Sequence, residues 1–237
     1  MGSLRRPSGP ADLALEVDSL AALCPHSRTA SRMDPVPDDA TLSTRATYDA
    51  IALRFLENAR GRGDLSRWLA RFATGLPAGA LVVDLGAGPG MDAFELRRRG
   101  LRAVSLDFSM GMLRAGIEEY RGPRLQGDAR RLPFRAGALA GIWACASLHH
   151  LPRAHVTQAL EDAHRTLAPG GRLAVSVKEG VGCETETTRY GMPRFFQYWS
   201  GPELDELLDA TRFRIIDGGT GASPRADWVV RLAERID

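Results

Sequence analysis

Leu81-Val82-Val83-Asp84-Leu85-Gly86-Ala87-Gly88-Pro89-Gly90 is the stretch that decides how this chain is read. Its first five residues make a short, mostly apolar run of strand character, and the glycines behind it turn the chain sharply into a helix. Glycine permits positive φ and lets backbone approach a ligand closely. A tight strand–helix turn with no ligand is the plainer reading. Three glycines at alternate positions behind a buried strand argue against it.

Outward from this turn the pattern alternates. Strands are expected at 80–85, 102–107, 124–126, 140–146 and 171–177, interleaved with helices at 90–99, 109–119 and 153–167. Val156, Leu160, Ala163 and Leu167 give the last of these helices its apolar stripe. Short apolar strands alternating with amphipathic helices imply an α/β fold with a parallel sheet covered on both faces. Upstream, 45–59 and 64–74 read as helices, the second with Leu65, Trp68, Leu69 and Phe72 on its buried side. Downstream come a helix at 201–210, opened by the capping box Ser200-Gly201-Pro202-Glu203, and strands near 212–217 and 226–232. Residues 1–44 are punctuated by prolines and read as a flexible extension with room for one short helix, leaving 45–237 as the domain.

Which ligand the turn would hold follows from what it lacks. A dinucleotide fingerprint, GxGxxG, needs a third glycine where Met91 stands, and the lysine of a phosphate-binding P-loop is missing. GxGxG preceded by Asp84 suits a ligand without phosphate, such as S-adenosylmethionine (SAM). Asp107 ends the second strand, where a carboxylate can accept both hydroxyl hydrogens of a ribose; capping the next helix is the alternative, which Ser109 serves equally well. Asp128, in Gln126-Gly127-Asp128-Ala129, is an ordinary turn residue alone, but informative in register behind two other stations.

Residues 45–217 resemble the class I SAM-dependent methyltransferases, close to the bacterial group called methyltransferase type 11. The resemblance is carried by Tyr48-Asp49-Ala50-Ile51-Ala52, VVDLGAGPG, VSLDFSMGML, GDARRLPF, WACASLHHLP, LAPGGRLAVSVKEG and RFFQYWSGPEL, in that order. It implies a Rossmann-like, seven-stranded sheet of order 3-2-1-4-5-7-6, the last strand antiparallel, with SAM across the carboxyl ends of strands 1, 2 and 4. By the same resemblance Gly86, Gly88 and Gly90 face the methionine part and ribose, Asp107 the ribose, and Asp128 with Ala129 the adenine. The backbone near Cys145 meets the methionine amino group and Tyr48 caps the site. Asp84, Ala87, Phe108 and Met112 complete the expected cofactor set. Phe55 stands where the family often has a second tyrosine, and Ala140 where an aspartate usually opens the fourth strand.

The methyl group of a sulfonium is already activated, so a general base is optional. His149, just after the fourth strand, is the candidate base, with His150 second; both orienting the loop is the plainer alternative. Glu179, Tyr190, Phe195, Phe196 and Tyr198, together with His149, are the candidate acceptor contacts, against simple burial of Phe196 and Trp199. The expected function is methyl transfer to an O, N or C atom of a small molecule. Attack elsewhere on SAM, as in a cyclase or aminocarboxypropyl transferase releasing methylthioadenosine, is an alternative, and a non-catalytic SAM-binding regulator is another.

Composition fits this picture. The 237 residues, 44% hydrophobic and 25% charged, are those of a globular protein, and a formal charge of +2 gives no case for nucleic acid or membrane as partner. Lys178 is the only lysine, which reads as codon bias toward arginine. Three widely spaced cysteines form no metal pattern, so no metal and a reducing, cytoplasmic setting are expected, with a monomer or homodimer as the assembly.

Overall fold

The computed structural model describes residues 39–58, 65–187, 189–223 and 226–237. Of the extension expected over 1–44, residues 1–38 therefore lie outside the described residues. Asp39–Thr44 do not belong to a flexible arm: helix α1 spans Asp39–Asn58, six residues longer at its start than the apolar pattern suggests. Its buried side there carries Thr41, Thr44 and Thr47. A hydroxyl-bearing face of this kind is invisible to a hydrophobic periodicity.

After α2 (Leu65–Thr74) the alternation follows in order. It runs β1 (Leu81–Leu85), α3 (Met91–Arg98), β2 (Arg102–Asp107), α4 (Met110–Ala115), β3 (Arg124–Gln126), β4 (Leu139–Cys145), α5 (Arg153–Thr166) and β5 (Leu167–Lys178). A hairpin, β6 (Cys183–Glu186) and β7 (Arg194–Gln197), comes next, then α6 (Gly201–Ala210), β8 (Phe213–Ser223) and β9 (Ala226–Arg235). The seven-stranded sheet has the order β3-β2-β1-β4-β5-β9-β8. It departs from the expected numbering because β6 and β7 form a separate antiparallel pair, in a stretch where the sequence pattern gives no strand. Each of the two strands is four residues long, too short for an alternation to register. β1 pairs in parallel with β2 and β4, and β9 runs antiparallel to β5 and β8.

The sheet is buried on both faces, as its continuous apolar strands require. Val83, Leu85 and Ile142 pack with Val156 and Leu160 of α5 and Leu204 and Leu208 of α6. Val82, Ala103 and Trp143 pack on the other side with Trp68 and Phe72 of α2 and Leu96 of α3. Trp143 donates its indole N–H to Oδ2 of the buried Asp92 at 2.7 Å, so its polar edge is paired inside the core. Ser200 caps α6 as the sequence dictates: Glu203 N–H donates to its Oγ, and its own N–H donates to Glu203 Oε2 at 2.9 Å.

Candidate active site

A cleft of about 830 Å³, its open mouth included, lies beyond the carboxyl ends of β1, β2 and β4. That is the edge at which open parallel sheets bind ligands. The turn after β1 supplies Gly86, the tip of β2 supplies Asp107 and Phe108, and the segment after β3 supplies Gly127–Ala129. Ala146–Leu148 and His150 follow β4, and Thr44, Arg45 and Tyr48 project from α1.

Only glycine fits at position 86. Its φ is +74°, and a Cβ there would lie 2.2 Å from Cβ of Ser147. The β1 turn and the β4 loop thus meet backbone against side chain. The N–H groups of Gly86 and Ala87 both donate to Leu106 O, at 2.8 and 3.0 Å, which ties the turn to β2. Gly88 N–H donates to Asp107 Oδ2 at 2.7 Å and Ser109 N–H to Oδ1 at 2.8 Å. Burial pushes the Asp107 carboxyl up to about 6, against the opposing pull of these two N–H donors. On the far wall Ala146 has φ +53°, a conformation costly for a residue with a Cβ, and Ser147 Oγ is buried with no partner among the described residues.

Helix α1 is docked over the cleft by polar contacts. Asp49 Oδ1 accepts from Ser109 Oγ at 2.6 Å and Gly111 N–H at 2.8 Å. Thr44 Oγ1 accepts Phe195 N–H at 2.9 Å, and Thr47 donates to Pro193 O at 2.5 Å, so the hairpin and α1 hold each other. The Arg45 guanidinium lies 4.9 Å from the Phe108 ring centre.

Tyr48 and His150 form the polar pair on the α1 side. Nδ1 of His150 faces the carbonyl oxygen of Phe195 at 2.8 Å and must carry the hydrogen. Nε2 is then the acceptor, and Tyr48 donates its hydroxyl hydrogen to it at 2.8 Å. Arg194 Nη1 approaches the same hydroxyl at 3.5 Å. Burial pushes the His150 imidazole down to about 3, with the Arg194 and Lys178 charges adding to the effect and the Phe195 carbonyl opposing it. Burial likewise raises Tyr48 above its ordinary value. Both groups are therefore neutral at pH 7. His149 stands elsewhere: it is 2% exposed and outside the cleft lining, packed on Phe196 and Trp228 at 5.5 Å between ring centres. Burial holds its imidazole well below the usual range too.

A family model described as a methyltransferase domain matches residues 83–175. A demethylmenaquinone methyltransferase of Mycolicibacterium gilvum is 34% identical over 193 residues, covering 80% of this chain and 76% of that protein. The chain belongs to the class I SAM-dependent methyltransferases. A second relative of the same name, from Mycolicibacterium paratuberculosis, is 34% identical over 61% of this chain, which spans 62% of that relative's length. Among solved methyltransferase structures, the 1,6-didemethyltoxoflavin-N1-methyltransferase of Burkholderia thailandensis superposes with a TM-score of 0.62 at 23% identity. The alignment covers 90% of this chain and 99% of that one, and its cofactor is bound as S-adenosylhomocysteine.

The methyltransferase cofactor fits the residues present. Gly86, with Ser147 packed against it, presents bare backbone at the cleft border, and Asp107 keeps lone pairs beyond those used by Gly88 and Ser109. The buried, unpartnered Ser147 Oγ adds a polar atom in the cleft lining.

Of the cofactor residues expected from sequence, Tyr48, Gly86, Asp107, Phe108, Asp128 and Ala129 border the cleft. The other six do not. Asp84 Oδ2 accepts Ala93 N–H at 2.9 Å and so braces the start of α3. Ala87, Gly88 and Gly90 shape the turn from behind, and Met112 packs with its Cε 3.2 Å from where a Gly88 Cβ would lie. Cys145 Sγ accepts from Ser176 Oγ at 3.3 Å; the cleft begins one residue later, at Ala146. Asp128 borders the cleft with both oxygens already bound by the Arg130 side chain, at 2.6–3.1 Å, and one also by Arg130 N–H at 2.9 Å. Its carboxylate is thereby committed to the loop.

The expected acceptor residues gather around the hairpin, outside the cleft lining. Glu179 is exposed, and Tyr198 donates its hydroxyl to Glu184. Phe195 offers its backbone to Thr44 and His150, while Phe196 and Trp199 are 2% and 1% exposed. Lys178 Nζ lies 3.5 Å from the Phe196 ring centre. The residues that sequence reasoning missed are Thr41, Thr44 and Arg45, on a helix whose start it misplaced, and Ser147, which only the spatial proximity of Gly86 singles out.

Proposed function

We propose that this chain binds SAM in the cleft and transfers its methyl group to an oxygen, nitrogen or carbon atom of a small-molecule acceptor. The observation that carries the reading is the unit made by Gly86 and Asp107 at the cleft border: a turn of bare backbone beside a carboxylate oriented by two backbone donors. Asp107 would hold the ribose hydroxyls, Gly127–Ala129 would offer backbone to the adenine, and Ser147 would bind the methionine end. Bound there, SAM supplies a methyl group on a sulfonium, already activated for in-line displacement. The chain's own work is to orient the acceptor and exclude water, which α1 does by covering the cleft while the hairpin holds α1 in place.

The histidines serve geometry at neutral pH. His150 accepts from Tyr48 and fixes its ring over the cleft, and its low proton affinity makes it a poor base. His149 supports the hairpin from behind the wall. An acceptor with an acidic hydroxyl or carbon would then lose its proton to solvent before it reacts.

Isothermal titration with S-adenosylhomocysteine tests the binding half of this reading. The names of the mycobacterial relatives make demethylmenaquinone the first acceptor to assay, with chromatography of the spent cofactor. S-adenosylhomocysteine as product supports methyl transfer. Methylthioadenosine as product, or no binding at all, overturns it.

A further inference from the structure

One buried side chain beside the cleft has an unmet requirement. Tyr190 is 9% exposed, and its hydroxyl has no hydrogen-bond partner among the described residues. An orphaned hydroxyl is a standing cost to the fold, which a ligand atom would relieve. Three guanidinium groups surround its ring: Arg189 at 4.7 Å, Arg194 at 4.9 Å and Arg54 at 5.3 Å from the ring centre. Guanidinium groups stay charged at any working pH, and their planar forks suit carboxylate and phosphate. Arg194 is itself 5% exposed, and its Nε likewise finds no partner among the described residues. Glu186 pairs with Arg194 and accepts Arg189 N–H at 2.7 Å, which offsets part of this charge.

The cluster lies against the cleft. Arg194 approaches Tyr48 Oη, which borders it, at 3.5 Å, and its guanidinium stands 5.9 Å from the Tyr48 ring centre and 4.9 Å from that of Tyr190. We infer that Tyr190, Arg194 and Arg54 form an acceptor subsite for an anionic oxygen group, a carboxylate or a phosphate, one aromatic ring away from the cofactor cleft. The inference rests on the proposed methyl transfer and points its acceptor away from neutral molecules such as demethylmenaquinone, toward one carrying such a group. Tyr190 would donate its hydroxyl hydrogen to the anion, and Arg194 its Nε–H.

The test uses the full chain saturated with S-adenosylhomocysteine and titrated with benzoate, phenyl phosphate and neutral benzamide. One or both anions should bind at least about tenfold more tightly than benzamide, the scale of one charged hydrogen bond; whichever binds identifies the group. Tyr190→Phe and Arg54→Gln should each erase most of that preference. Tyr190→Phe should also raise the melting temperature of the ligand-free protein, because it deletes the orphaned hydroxyl; a tyrosine that only packs would show neither effect. Equal affinity for charged and neutral probes, or no binding of any, with S-adenosylhomocysteine still bound, overturns the subsite and leaves methyl transfer standing. Failure to bind S-adenosylhomocysteine removes both.

Discussion

Gly88 donates its backbone N–H to Oδ2 of Asp107 across 2.7 Å, so the glycine turn after β1 and the tip of β2 form one unit. The carboxylate's orientation is set by backbone, not by a neighbouring cation, and burial is left to dominate its ionisation.

The first prediction follows from that balance. Asp107 titrates near 6, above the ordinary aspartate value, so its ionised form is the costly one in the empty cleft. A ribose needs that ionised form as acceptor. Affinity for S-adenosylhomocysteine should therefore be full above about pH 7 and fall by about tenfold per pH unit below 6. Titrations from pH 4.5 to 8 check it. Asp107→Asn should bind more weakly, by about 1.5–3 kcal/mol, with the slope gone. A wild-type affinity that is flat with pH contradicts the ribose role.

The second prediction separates two glycines that look alike in sequence. A Cβ at Gly86 would overlap Ser147 Cβ at 2.2 Å, whereas at Gly88 it would meet only the mobile end of Met112 at 3.2 Å. Both have positive φ, which costs roughly 1–2 kcal/mol for alanine. Gly88→Ala should lose about that much stability; Gly86→Ala should lose more and also distort the cleft. Denaturant unfolding of the two variants gives the comparison, and equal losses would refute the close approach of the turn and the β4 loop.

Much of this architecture was legible in the residues. Alternating apolar strands and amphipathic helices identify the sheet because burial on both faces leaves a strong local pattern, and the Ser200 capping box marks α6 without any tertiary knowledge. The Gly86 turn and Asp107 are readable because each needs one residue type at one place. The cover of the cleft was not readable. Its elements meet through threonine hydroxyls and backbone groups, as Thr44 does with Phe195 and Thr47 with Pro193. Such bonds leave no periodicity. Adjacent His149 and His150 are equivalent in sequence, and only the turn after β4 sends one to the cleft and the other behind the wall.

The third prediction concerns that cover. Thr47 is fully buried, and its hydroxyl donates to Pro193 O. Thr47→Val keeps the shape and removes the bond, leaving a carbonyl unpaired at a cost of about 1–3 kcal/mol. Hydrogen exchange should show faster opening confined to α1 and the hairpin, while the sheet core keeps its protection. Uniformly faster exchange would mean that the two are not a separate covering unit.

The fourth prediction is an opposition in acid. His150 titrates near 3 in the fold, below its ordinary value of about 6.5. The stability this contributes is complete above about pH 6.5 and drains away as pH falls toward 3. Asp107 has the other sign. Its raised value contributes stability that is complete below about 4 and is lost as pH rises through 6. Between pH 4 and 6 the two slopes oppose each other in the ligand-free protein. His150→Gln, which keeps a partner for Tyr48, should flatten the rise of stability with pH across that window, the depressed His149 keeping part of it, and Asp107→Asn should steepen the rise. Melting temperatures at several pH values distinguish the variants, and parallel profiles for the two would show that neither group carries its assigned sign.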